Sequence, residues 1–143
     1  VEFFANGKLS TSNQVFQDGS RKIRYFDEQE NCIRTENVLP SGGFGVDHNM
    51  VSIIKSRYDE KRREVSREFF NHSTNRVISY TEKISGLTNE FDIAGKRMVQ
   101  TFLDDQNKPC VHKDGTLKTE VILNDDGLIG SIRYYGVSNI FLK

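Results

Sequence analysis

The sequence predicts an all-β protein, built of antiparallel β-hairpin repeats that join into an elongated or curled sheet or solenoid. Three observations carry this expectation. An aromatic residue or Leu is followed by Asp or Asn at Phe26-Asp27, Tyr58-Asp59, Phe91-Asp92 and Leu123-Asn124, at intervals of 32, 33 and 32 residues. Clusters of turn-forming residues recur at matching places within the intervals. Short segments of apolar–polar alternation lie between the clusters, and a period of two is the pattern of a half-buried strand.

Taken in order, residues 1–25 read as a shortened unit: Phe4 is followed by Phe16 twelve residues on, and the next unit opens 22 residues after Phe4. The deficit is about one inner hairpin. Full units then run 26–57, 58–90 and 91–122, with 123–143 completing a single repeat domain over 1–143. Seven residues into the units stand Ile33, Val65 and Met98, with Gly130 the exception. Eleven and twelve residues in stand Asn37-Val38, Phe69-Phe70, Phe102-Leu103 and Tyr134-Tyr135. Nineteen in, Val77, Cys110 and Leu142 agree and Gly45 does not.

Three turns are expected per unit. The first is at Asp27–Asn31, Asp92–Lys96 and Asn124–Gly127, where Asp and Asn fold back onto their own backbone and Gly supplies a positive φ. The second is at Asn71–Asn75 and Asp104–Pro109, and the third at Asp47-His48-Asn49, Ser85-Gly86 and Lys113-Asp114-Gly115. Segments such as Arg97–Phe102 and Ser131–Tyr135 read as the strands between them. The two prolines, Pro40 and Pro109, both fall in turns, where a missing N–H costs nothing. Two departures stand out: Glu30 and Arg62 replace the turn Gly in two units, and Gly42-Gly43-Phe44-Gly45 occupies a place where a strand is due. A unit this small cannot bury its apolar face alone, so neighbouring copies must stack.

A competing reading remains open at this point. Met50, Ile54, Tyr58, Val65 and Phe69 have spacings that fit one helix face, and Lys61–Glu64 is helix-forming in composition. This gives an α+β domain with one helix over about residues 50–70, and with it a small enzyme or ligand-binding domain whose pocket lies near that segment.

Composition bounds the function. The chain has 143 residues, 36 % hydrophobic and 28 % charged, a balance typical of folded domains. Lys+Arg and Asp+Glu both number 20, so no net field favours nucleic acid or an acidic membrane. The longest apolar runs, such as Val121–Leu123, fall far short of the roughly 20 residues of a membrane helix. Val1-Glu2-Phe3-Phe4 does not read as a leader, so the compartment is not legible there. Cys32 and Cys110 do not form a disulfide framework or a metal motif and read as buried free thiols.

The units Tyr58–Val65 and Phe91–Met98, each an aromatic-Asp pair followed by a turn and a basic residue, resemble the YD repeat of Rhs-type proteins. Phe102–Val111 with Asp114-Gly115 is similar to longer bacterial variants of such repeats. Phe3–Leu9 with Asp18-Gly19 behind it resembles the MORN-variant repeat. The resemblance implies a bacterial scaffold or binding module, often part of a larger surface, secreted or toxin-associated protein, with no enzymatic activity in the repeats themselves.

The residues offer little catalytic chemistry. No Gly-x-Ser-x-Gly is present. His48, His72 and His112 fall at or beside turns without ligand spacing and read as solvated turn residues. Asp104-Asp105 and Asp125-Asp126 are adjacent pairs whose side chains point apart, which suits turns better than a paired acid and base. They also lack the alternating pattern of a calcium loop. Lys61–Arg63 is flanked by Asp59, Glu60 and Glu64 and reads as a mixed-charge face. The aromatics are the most suggestive feature: neighbours on a strand point to opposite faces, so one of each pair can enter the core while the other faces outward. Phe69, Phe70, Phe102, Tyr134 and Tyr135 are therefore the candidate binding residues. The expected partner is a protein or a glycan, with no cofactor, metal or nucleic acid.

Overall fold

The computed structural model describes residues 1–136. Ten strands form one sheet in chain order: β1 (Glu2–Ala5), β2 (Lys8–Val15), β3 (Arg21–Phe26), β4 (Cys32–Val38), β5 (Ile53–Tyr58), β6 (Glu64–Phe70), β7 (Gly86–Phe91), β8 (Arg97–Leu103), β9 (Lys118–Leu123) and β10 (Ile129–Tyr135). Each is antiparallel to the next. The sheet is open and uncurled, which selects the elongated form over the curled one. Among the described residues there is no helix.

The expected helix over 50–70 is instead β5, a hairpin turn and β6. Met50 sits in a turn at φ 65°, and Arg62, inside the supposed helix, has φ 63°. Ile54 pairs directly with Phe69 across the two strands. Their side chains therefore share one face of the sheet.

The 32- or 33-residue period is carried by the backbone. At the hairpin turns, the N–H of Asp27, Asp59, Asp92 and Asn124 donates to the carbonyl of Asn31, Arg63, Arg97 and Leu128 respectively. The side chains of the same four residues accept backbone N–H bonds from within the turn, as at Asp59 from Lys61 and Arg63, both at 2.9 Å. The left-handed position is filled by Glu30, Arg62, Gly95 and Gly127, at φ 64°, 63°, 70° and 84°. Glu30 and Arg62 thus replace Gly in sequence but keep the geometry. The exceptional Gly130 is explained by a bulge: Ile33, Val65 and Gly130 are each the unpaired extra residue after the turn. In the third unit Met98 pairs with Phe91 without a bulge.

Between units run the longer connections 39–52, 71–85 and 104–117. Each begins with a turn that returns to the strand it left, giving single bridges Val38–Phe44, Phe70–Arg76 and Leu103–Pro109, one period apart. Gly42–Gly45 belongs to this return, so no strand is due there. The third turn closes at Asp47–Val51 and His112–Thr116 as expected, but in the middle unit it spans Ser79–Ile84. Ser85-Gly86 leads into β7 instead of turning.

These connections cover one end of one face and create the core there. Val51, Phe69, Ile84, Leu87 and Phe102 are buried together, with Ile54, Val77 and Cys110 packed against them. Val77 and Cys110 are held in place by N–H bonds to the carbonyls of Phe69 and Phe102, at 3.1 and 2.9 Å. Each buried Phe side chain contributes on the order of 1.5–3 kcal/mol.

Contacts between units also repeat at nearly one period. Arg62 Nε donates to Asn31 Oδ1 at 3.2 Å. Arg76 donates to Glu68 at 2.9 Å and reaches Asn107 and the Asp104 carbonyl in the next connection. The Tyr80 N–H donates to the Asn49 carbonyl at 3.0 Å and the Lys113 N–H to the Glu82 carbonyl at 3.1 Å.

Candidate functional site

The five candidate aromatics divide by face. Phe69 and Phe102 are buried in the core cluster and present no surface. Phe70 points to the opposite face, where the Lys55 ammonium lies 4.8 Å and the Arg76 guanidinium 5.8 Å from its ring centre. Tyr135 is similarly placed, with Lys118 opposite it on β9 and 4.9 Å above its ring. Tyr134 is half-buried on the face of Phe69 and Phe102. The expected row of outward aromatics is therefore absent among the described residues, because cations occupy the outer rings and the chain's own connections cover the inner ones. Leu142 lies outside the described residues.

The titratable groups serve the turns. Asp59 is held below the usual carboxylate range by the N–H of Arg63, against a small opposing effect of burial, and by the Arg63 side chain. At Asp104 the N–H groups of Lys108 and Gln106 do the same. At Asp114 partial burial acts to raise the pKa, but the Thr116 N–H and hydroxyl and His112 overcome it and hold the group at about 2. His48 and His72 are exposed as expected. His112 is not: its ring lies between Glu82 and Asp114 and packs 4.9 Å from that of Phe102, tying two connections together. Of the basic run, Arg63 folds over Phe91 at 4.1 Å while bonding Asp59 at 2.7 Å. Cys32 and Cys110 are free and half-buried rather than buried, and burial pushes the Cys110 thiol up. Among the described residues no three His, Cys, Asp or Glu side chains are grouped to hold a metal.

Exposed apolar side chains concentrate in the first part of the chain. Phe3 and Phe4 on the outer strand β1 are 54 % and 62 % exposed, and Val15, Phe16, Leu39, Phe44, Val46 and Met50 follow. Between the turn 16–20 and the connection 39–47 lies an open cleft of about 620 Å³. The signal for it was present in the shortened first unit and in Gly45, but only the strand register shows that the two departures face one space. Neither a known family model nor a curated protein sequence matches the chain.

Proposed function

We propose that the chain is a non-catalytic β-repeat module whose task is protein binding within a scaffold. The observation that carries this reading is the apolar surface of the first units, since water-exposed apolar groups gathered in one region mark contact surfaces. Phe3, Phe4, Phe16, Phe44 and Val46 supply it, while in the later units the chain covers its own inner aromatics. Capping of Phe70 and Tyr135 by Lys55, Arg76 and Lys118 argues for protein over glycan, because sugars stack on open aromatic faces. The likeness to YD and MORN-variant repeats supports a place in a larger bacterial surface or toxin-associated protein.

The second sequence reading, a small enzyme or ligand-binding domain, leaned on a helix at 50–70 that is a β-hairpin here. Panels of immobilised peptides and glycans test the proposal. Peptide capture that is lost in Phe16→Ser and Val46→Ser supports it. Capture of glycans alone overturns it.

A further inference from the structure

We infer that the cleft between the turn 16–20 and the connection 39–47 is a docking slot for an acidic polypeptide segment bearing a small apolar side chain. This rests on the protein-binding reading above and names the site and the chemistry of its occupant. The slot is lined by Phe16, Arg21, Lys22, Val38, Leu39 and Val46. Its volume, about 620 Å³, lies in the range of specific ligand sites.

The geometry of the later units says what fits. There, the return segment of each connection lays an apolar side chain onto the core: Val77 in one unit, Cys110 in the next. The equivalent residue in the first full unit is Gly45. Its N–H makes the same backbone bond, to the Asn37 carbonyl at 2.8 Å, but it brings no side chain. The unit before it has only the short turn 16–20 and no return segment at all. The chain therefore twice fills with its own backbone and a Val-sized group a space that it leaves open once.

Charge selects among possible segments. Asp18 and Asp47 are at the rim, but their carboxylates are engaged by their own turns: Asp18 by the Ser20 N–H at 2.9 Å, Asp47 by the N–H groups of Asn49 at 2.8 Å and Val51 at 3.1 Å. Arg21 and Lys22 are half-buried and have no acceptor in hydrogen-bond or ion-pair reach among the described residues. Arg76 and Arg97, by contrast, sit on Glu68 and Glu120 at 2.9 and 2.6 Å. Half-buried cations without partners favour an incoming carboxylate.

The test is an NMR titration of the isotopically labelled chain with two capped synthetic peptides taken from its own connections. One has the sequence of residues 104–111 with Cys110→Val, formal charge −1; the other has that of residues 71–78, formal charge +1. The acidic peptide is expected to shift amide signals of residues 16–22 and 37–47, and to bind at least ten times more tightly than the basic one. Arg21→Gln with Lys22→Gln should remove that preference. Gly45→Val, which puts into the slot the side chain that Val77 supplies elsewhere, should abolish binding with no loss in melting temperature. No shifts up to roughly 1 mM peptide, equal binding of the two peptides, or binding unaffected by Gly45→Val overturns the slot. If the peptide panel still captures the chain through another surface, the general protein-binding reading stands while the slot falls.

Discussion

Replacing Thr74 by Gly should stabilise the protein, although it removes a side chain. Thr74 has φ 62°, in the left-handed region, at a turn position filled by Gly42 and Asn107 in the flanking units. A β-branched residue is a conformational outlier there, and the left-handed region costs an L-residue about 1–2 kcal/mol. Gly removes that cost but gives back about 0.5–1 kcal/mol through its greater freedom in the unfolded chain. The exposed hydroxyl bond to the Ser73 carbonyl, 2.6 Å, is also lost, while the backbone bond from the Thr74 N–H to the Asn71 carbonyl remains. The net gain is about 0.5 kcal/mol. With a urea slope near 2 kcal/mol per M, the midpoint should rise by about 0.2–0.3 M at unchanged slope. Ser73→Gly, one residue earlier and not left-handed, should lower it. Equal loss of stability in both variants would refute the argument from backbone strain.

Other outcomes follow from the core, the sheet and the turns. Phe102→Ala should cost about 3–5 kcal/mol in urea unfolding, since its ring lies in the buried cluster and against His112. Gly86→Ala should destabilise far more than Gly43→Ala: an added Cβ at 86 would lie 2.3 Å from the Arg67 carbonyl oxygen, whereas at 43 it meets nothing. Thermal melts should show stability falling as pH drops from about 4 towards about 2. The native pKa values of Asp18, Asp27, Asp59, Asp104 and Asp114 lie below their usual 3.8, so the unfolded chain takes up protons first and acid favours it. Asp114→Asn should flatten the most acidic part of that curve.

Much of the fold was legible because a turn is specified by a few residues in fixed places. Asp27, Asp59, Asp92 and Asn124 each fold their own turn, and their spacing is the period of the sheet. The helical reading of 50–70 failed for a definable reason. Ile54 and Tyr58 are four apart, an even spacing that puts them on one face of a strand as well as on one face of a helix. The bulge at Val65 then shifted the count so that Phe69 rejoined the pattern. Glu30 and Arg62 show that a left-handed turn need not declare itself by Gly. The candidate site was less legible, because alternation says which aromatics face apart but not what covers them. Cover came from Val77 and Cys110, far along the chain, and from Lys55, Arg76 and Lys118 across the strands.

The order of the strands has a mechanical consequence. Because every strand neighbours its predecessor, load applied between β1 and β10 would pull on the outermost hairpins before the middle of the sheet. Such an array peels rather than shears, yielding in successive short steps at modest force, each releasing about one period of chain. A protein built this way would behave as an extensible spacer that lengthens under tension and re-zips when the tension is removed.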